Sequence, residues 1–152
     1  MKFVIRKVDM GDKIAREGVN QLIDEISADL DWIYAERCER GEWWLAFHAD
    51  QPAAFAGMVP MTKYFSSAHL CSSGVLSQYR GHGLQKTLIR RRLRRAKELG
   101  CRTAYTETIH ENAASANSLI ACGFKRFVPA IPWDKVEHVH FWRKDLSTKG
   151  AS

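Results

Sequence analysis

The stretch Ser77-Gln78-Tyr79-Arg80-Gly81-His82-Gly83-Leu84-Gln85-Lys86 decides how this chain folds, because a strand pattern precedes it and a helix pattern follows it. The preceding residues, Ala68 to Leu76, are typical of a strand. After the glycines, apolar residues recur at helical spacing until Gly100, which is suited to end a helix; they are Leu84, Leu88, Leu93, Ala96 and Leu99. The stretch is therefore a glycine-rich turn between a strand and a helix.

Such a turn is a natural binding site for anions. The main-chain N–H groups that open a helix lack intrahelical partners, and the helix dipole adds positive potential there. Gly81 and Gly83 carry no side chain that would keep a phosphate from the backbone, and Arg80 and Lys86 add positive charge. We therefore expect the amides of this turn to bind a phosphate-bearing ligand.

Two common nucleotide motifs do not fit these letters. A Walker A motif ending at Lys86 would need glycine at the positions of Arg80 and Gln85, and a dinucleotide motif starting at Gly81 would need glycine at the position of Lys86. A kinase, an NTPase and an NAD enzyme are therefore disfavoured.

The rest of the chain alternates strand and helix patterns. Before the turn, they predict a strand from Phe3 to Val8, cap residues at 9–12, and a helical region of one or two helices to about Arg40. A hairpin of Glu42 to Ala49 and Ala53 to Val59, turning at 50–52, follows. After the helix, they predict a strand from Cys101 to Ile109, a helix from Asn112 to Ala121, and two strands, Phe124 to Val128 and Val136 to Trp142. A polar tail begins at Ser147.

Two fragments resemble the GNAT superfamily of N-acetyltransferases. Its pyrophosphate loop reads [Q/R]-x-x-G-x-[G/A]; Arg80 and Gly83 match it, and Gln85 departs where a small residue is usual. Downstream, Asn112-Ala113-Ala114-Ser115 and then Gly123-Phe124 are similar to a second fragment of the family, N-x-x-[A/S] followed by G-F. The order of predicted strands and helices also agrees with the family.

The resemblance implies an α/β (α+β) fold. Its centre would be a mixed, mostly antiparallel sheet of about six to seven strands, flanked by about four helices and splayed between the strands on either side of the pyrophosphate-loop helix. One domain would span residues 1–146, followed by the tail of residues 147–152.

The resemblance also implies acetyl transfer from acetyl-CoA to a primary amine that attacks the thioester directly. Main-chain groups of Val75 and Leu76 would hold the pantetheine, and Asn112 and Ser115 would lie along it, although Asn112 also suits a plain helix N-cap. The amides of the loop would bind the pyrophosphate; the loop residues concerned are Arg80, Gly81, His82, Gly83, Leu84, Gln85 and Lys86.

Proton transfer needs a general base near the amine. Glu107 is the first candidate because it is a lone carboxylate in a neutral strand, and His69 is the second. Tyr79 and Tyr105 stay open, and each of the four also has a purely structural interpretation. Many members use a tyrosine as general acid seven residues after the asparagine, and this chain has Leu119 there. His82 is expected to offer only its backbone amide.

Composition limits the alternatives. The chain has 152 residues and a net charge of +6, which favours an anionic partner. The arginine-rich segment from Arg90 to Lys97 permits a nucleic-acid-binding protein, but its arginines are expected largely opposite the apolar face of the helix, as a solvated surface near an anionic cofactor. An acyl-CoA-binding domain without turnover is a further alternative, suggested by Leu119.

The remaining signals are structural. Four scattered cysteines show no zinc or disulfide spacing, so no metal is expected and they should be reduced and buried. No apolar stretch approaches the roughly 20 residues of a spanning helix, so we expect a soluble, cytoplasmic protein. Trp43, Trp44 and Phe47 are expected in the core, and Trp133 at the rim of an acceptor pocket. The acceptor, a small molecule or a protein, is unidentified, and a homodimer stays open.

Overall fold

A computed structural model describes residues 1–30, 37–62 and 65–147. In these ranges the chain forms seven strands, three α-helices and one short 3-10 helix. Their bounds are β1 Val4–Lys7, α1 Lys13–Ala28, β2 Glu42–His48, β3 Gln51–Met61, β4 Ser67–Val75, the 3-10 helix Ser77–Tyr79, α2 Leu84–Glu98, β5 Thr103–Ile109, α3 Ala113–Ala121, β6 Lys125–Phe127 and β7 Val139–Asp145.

The strands form one mixed sheet in the order β1-β2-β3-β4-β5-β7-β6. Strands β1, β2 and β3 pair antiparallel, and so do β5, β7 and β6. Between β4 and β5 the pairing is parallel and covers three residue pairs, from Ser67↔Thr103 to His69↔Tyr105. The predicted α/β class and the mostly antiparallel sheet are confirmed, and the short parallel ladder agrees with the expected splaying.

The described chain divides into two compact units. The first comprises Met1–Val59 and Cys71–Leu88, and the second comprises Pro60–Leu70 and Ile89–Ser152. Strand β4 and helix α2 each begin in one unit and end in the other.

The core of the first unit lies between α1 and the hairpin of β2 and β3. Asp12 starts α1 as its N-cap, because its carboxylate accepts a hydrogen bond of 2.9 Å from Ile14 N. One face of α1 is then buried against hairpin residues that include Trp43 and Phe55; this face consists of Val19, Leu22, Ile23 and Ile26. The expected core position of Trp43 is confirmed, and Trp44 is also buried.

Helix α1 ends at Ala28, so the helical region predicted to about Arg40 is not one continuous helix. Leu30 packs against the core just after the end of α1. The chain returns beside α1 at Cys38, whose N–H donates to Asn20 Oδ1 at 2.9 Å. The part of this prediction that concerns residues 31–36 lies outside the described residues.

The hairpin turn is displaced from its predicted position at residues 50–52. Ala49 and Asp50 form the turn, both with positive φ values of 45° and 66°, and Gln51 and Pro52 belong to β3. A two-residue turn with positive φ at both positions matches the twist of the strands, and aspartate tolerates this conformation better than most residues. The predicted turn was too late in the chain because proline usually marks a turn. Pro52 instead lies in β3, beside an irregularity in the ladder between β2 and β3.

In the second unit, β5 divides its residues between two faces. Ala104, Thr106 and Thr108 are buried, whereas Tyr105 and Glu107 lie on the partly exposed face. Strand β7 begins three residues later than the predicted Val136, and the intervening loop of residues 128–138 is largely exposed. We call these eleven residues the β6–β7 loop.

Helix α2 corrects one expectation about the arginines. Arg90 and Arg94 are exposed as predicted, but Arg92 is buried, with 2% of its surface accessible. Arg92 also interacts with other groups of the protein, and it is not part of a solvated face.

All four cysteines are buried and present as thiols, as predicted. Burial raises the pKa of the Cys38 thiol to about 11, in spite of the opposing charge of Arg16. A thiol with so high a pKa is a poor nucleophile near neutral pH. No described helix is long and apolar enough to cross a membrane.

Candidate active site

The glycine-rich loop lies in the first unit, between the 3-10 helix and α2. Gly81 and Gly83 have φ values of +81° and +76°, the left-handed region that favours glycine. A Cβ atom built at either glycine meets no heavy atom within 4 Å. Both positions therefore combine the required backbone conformation with open space beside the main chain.

The main-chain amides of this loop are available for a ligand. Thr87 N is the first main-chain N–H of α2 that is hydrogen-bonded to a carbonyl of the loop; it donates to Gly83 O at 3.1 Å. Among the described residues, no acceptor is bound to the N–H groups of residues 81–85. Five successive donors at the start of a 15-residue helix meet the requirement for binding a diphosphate.

Two side chains brace the loop against β4. Arg80 Nε donates to Val75 O at 3.1 Å, and Gln85 Nε2 donates to Ser73 Oγ at 2.8 Å. Gln85 is the residue that departs from the family motif. Its side chain is bonded to the strand, so it belongs to the framework of the loop. Ser73 was missed in the sequence because a single serine in a strand carries no signal of such a role.

The main-chain groups at the end of β4 already have partners. Leu76 N donates to Ala53 O at 2.9 Å, and Leu76 O accepts from Tyr79 N at 2.9 Å. Because Val75 O accepts from Arg80, each of the Val75 and Leu76 carbonyl oxygens has a second lone pair for a ligand. The predicted pantetheine contacts of these two residues would be made through these carbonyl oxygens.

Asn112 and Ser115 belong to the second unit, where Asn112 caps α3. Asn112 Oδ1 accepts a hydrogen bond of 3.1 Å from Ser115 N. The capping interpretation of Asn112 is therefore confirmed. Its amide NH₂ group and the Ser115 hydroxyl remain as the groups that could contact a ligand.

Glu107 and His69, the two predicted catalytic residues, are in contact in the second unit. Glu107 lies on β5 and His69 on β4, and His69 Nε2 is 2.8 Å from Glu107 Oε2. Trp133, from the β6–β7 loop, donates from Nε1 to the same oxygen at 2.9 Å. Both donors meet Oε2, and no described residue donates to Oε1. The carboxylate is therefore held firmly by one oxygen and open at the other.

These contacts also determine the acidity of Glu107. Burial has the largest single effect and raises its pKa, but the hydrogen bond and charge of His69 and the hydrogen bond from Trp133 act in the opposite direction. Their combined effect exceeds that of burial, and the pKa of Glu107 lies below its ordinary value of 4.5. The carboxylate is consequently ionised throughout the neutral range.

The other proton-transfer candidates are placed differently. Tyr79 packs in the first unit against Phe3, with ring centroids 6.0 Å apart. Tyr105 lies in the second unit, 5.9 Å from the ring of Trp133. Leu119 is buried, with 4% of its surface accessible, so no hydroxyl replaces the missing tyrosine at that position. The described residues hold no cluster of three histidine, cysteine or carboxylate side chains able to bind a metal.

The basic side of α2 contributes to a groove of about 470 Å³ in the second unit. Its cations are Arg90, Arg94 and Lys97 from α2 and Lys144 from β7, and the described residues that line it include no carboxylate. Lys144 Nζ donates to Cys122 O at 2.9 Å. This groove is the feature that a nucleic-acid-binding function would use.

Comparisons with known proteins agree with this geometry. A model of the Acetyltransferase (GNAT) family matches residues 12–124. The fold is similar to a GNAT-family acetyltransferase of Staphylococcus aureus Mu50, with a TM-score of 0.78, 18% identity, and coverage of 96% of this chain and 100% of that one. No curated protein sequence matches the chain.

Two further solved structures are similar over nearly their whole length. The ribosomal-protein-S18-alanine N-acetyltransferase of Escherichia coli has a TM-score of 0.72 and 16% identity, over 96% of this chain and 95% of that one. The yncA acetyltransferase of Salmonella typhimurium, solved with its cofactor acetyl-CoA, has a TM-score of 0.73 and 14% identity, over 95% of this chain and 94% of that one. The chain belongs to the GNAT family of acetyltransferases.

Proposed function

We propose that this protein transfers an acetyl group from acetyl-CoA to a primary amine, with Glu107 as the general base. The glycine-rich loop carries the proposal: its amides from Gly81 to Gln85 have no acceptor among the described residues, and both glycines open onto free space. Family membership supports the same cofactor.

The chemistry of the loop suits the diphosphate of coenzyme A. The five amides and the first turn of α2 would bind the phosphate oxygens, and Arg80 and Lys86 would add charge. Bound there, the cofactor supplies a thioester carbonyl as electrophile and a thiolate as leaving group. Because a thiol has a pKa near 8.5, its departure needs little acid assistance, which is compatible with Leu119 at the usual tyrosine position.

In this proposal Glu107 accepts a proton from the acceptor amine through its open oxygen, Oε1. His69 and Trp133 orient the carboxylate by holding Oε2, so the two oxygens have separate tasks. Glu107 with its two hydrogen-bond donors, His69 and Trp133, corresponds to the usual arrangement in which neighbouring groups position a general base.

The lowered pKa of Glu107 bears on the form in which the amine reacts. Ammonium groups have much higher pKa values than this carboxylate, so direct removal of a proton from an ammonium group by Glu107 is unfavourable. In this proposal the amine enters as the free base, and Glu107 accepts its proton as the bond from nitrogen to the thioester carbon forms.

Release of free thiol from acetyl-CoA tests the proposal. The protein is incubated with acetyl-CoA and a panel of amines; we expect thiol release that depends on the amine and an acetylated product in the mass spectrum. Thiol release that no amine accelerates, together with tight binding of acetyl-CoA, would instead establish a binding domain without turnover. Binding of nucleic acid without heat from acetyl-CoA would favour the third function, carried by the groove of Arg90, Arg94, Lys97 and Lys144.

A further inference from the structure

The partly exposed face of the sheet around Glu107 is aromatic. Phe141 pairs with Glu107 on one side and with Phe127 on the other, so these three side chains lie in one row. Tyr105 precedes Glu107 by two residues and lies on the same face. Trp133 lies across them, with its ring centroid 4.7 Å from Phe141 and 5.9 Å from both Tyr105 and Phe127.

We propose that Tyr105, Phe127 and Trp133 form the acceptor-binding surface, that this surface selects primary amines attached to an apolar body, and that Trp133 is its specificity-determining residue. The inference rests on the proposed function, because it takes the amine as the acceptor of the acetyl group. We call these three residues the aromatic surface.

Exposure supports this assignment. Trp133 is 43% exposed, although its ring contacts four others and its Nε1 is bonded to Glu107. The same loop also carries Val128, Ile131 and Val136, which are 92%, 87% and 54% exposed. Exposed apolar side chains are typical of a binding surface, because covering them releases water. Trp133 connects this loop to the carboxylate proposed as the base.

Exposed charges surround the aromatic surface. Arg143 lies over the Phe127 ring, with its guanidinium carbon 4.9 Å from the centroid, and Lys125 pairs with Arg143 in the ladder. These two cations and the carboxylates of Asp134 and Glu137 are all exposed, so solvent screens their effects on an acceptor alike. The rings are therefore the feature of this face that would select the acceptor, with one amino group near Glu107 and an apolar remainder on the rings.

The two parts of Trp133 have separate roles. Its ring offers apolar contact area, and its N–H helps to hold Glu107 Oε2. Trp133→Ala removes both, whereas Trp133→Phe keeps an aromatic ring and removes the hydrogen bond. Because that hydrogen bond lowers the pKa of Glu107, its removal should shift to higher pH the limb of kcat/KM that protonation of Glu107 causes, which in the wild-type protein lies below pH 4.5. Loss of ring contact alone would not move this limb.

The test compares ethylamine, phenethylamine and spermidine as acceptors. Wild-type protein should favour phenethylamine over ethylamine by about tenfold in kcat/KM, the effect of burying roughly 60 Å² of apolar surface at about 25 cal/mol per Å². For its size, spermidine should have the lowest kcat/KM of the three amines. Trp133→Ala should abolish the preference by raising KM for phenethylamine, and Trp133→Phe should retain most of it.

Ile14→Ala is the matched control, because Ile14 is 79% exposed on α1, far along the chain from the aromatic surface. It should leave the preference unchanged. Calorimetric titration of phenethylamine into CoA-saturated protein measures binding of the amine to the aromatic surface without turnover. A protein that binds the amine but never releases thiol would therefore refute the proposed function and not the present inference. An unchanged preference and affinity in Trp133→Ala, or a wild-type preference for spermidine, would overturn the present inference.

Discussion

Replacing Glu107 with glutamine is the sharpest perturbation of the proposed chemistry. Glutamine has nearly the same shape and can still accept hydrogen bonds from His69 and Trp133, which now meet the carboxylate at 2.8 and 2.9 Å. What it loses is the ability to accept a proton. A positioned general base contributes about 10²–10⁴-fold to the rate, so kcat/KM should fall by that factor.

The pH dependence follows from the lowered pKa of Glu107. The base is active when ionised, so its activity would be lost only as the pH falls through that pKa, below the ordinary 4.5. Between about pH 6 and 9 we therefore expect kcat/KM to rise with pH as the amine itself loses its proton, and to level off near the pKa of the amine.

The assay is thiol release at fixed acetyl-CoA concentration, with calorimetry of acetyl-CoA as the control for folding and cofactor binding. Glu107→Gln should retain its affinity for acetyl-CoA. A variant that keeps more than half of the wild-type kcat/KM would refute the role of Glu107. A wild-type profile with a limb near pH 7 that does not move with the pKa of the amine would point to another base.

Other substitutions test the loop, the core and the basic groove. Gly83→Ala and its matched control Gly100→Ala both place a side chain at positive φ with no neighbour within 4 Å. Each should lower the free energy of unfolding in urea by about 1–2 kcal/mol, but only Gly83→Ala should weaken acetyl-CoA binding. Equal acetyl-CoA affinities of the two variants would contradict the role of the loop. Gly57→Ala would bring Cβ within 2.6–2.8 Å of neighbouring side-chain atoms and should lower the free energy of unfolding by about 1–3 kcal/mol, and a wild-type urea midpoint would disprove that crowding. Arg90→Ala combined with Arg94→Ala should leave the affinity for acetyl-CoA unchanged and should weaken any salt-sensitive binding of oligonucleotides. A loss of acetyl-CoA affinity would tie the groove to the cofactor.

Local signals explain why the loop and much of the fold could be predicted from the sequence. The positive φ values at Gly81 and Gly83 and the helical period of Leu84 and Leu88 depend on a few neighbouring residues. The cap at Asn112 is equally local. Such features are written in short stretches of sequence and need no knowledge of what the chain later packs against.

Features that depend on distant residues could not be predicted. Leu30 extended the apolar period because it packs against the core from outside α1, and Arg92 is buried among neighbours that the helical period does not reveal. At the site, Glu107 and His69 were recognised as candidates one at a time. Their contact, and the bond from Trp133 to the same oxygen, arise from β4, β5 and the β6–β7 loop meeting in space.

Calorimetric titration of acetyl-CoA tests most directly whether the amides of the glycine-rich loop bind the cofactor. We predict saturable heat for one site per chain, and loss of that heat in a folded Gly81→Val, Gly83→Val double variant, whose side chains would fill the space beside the amides. A wild-type protein that gives no heat, or a folded double variant with unchanged affinity, would contradict the account.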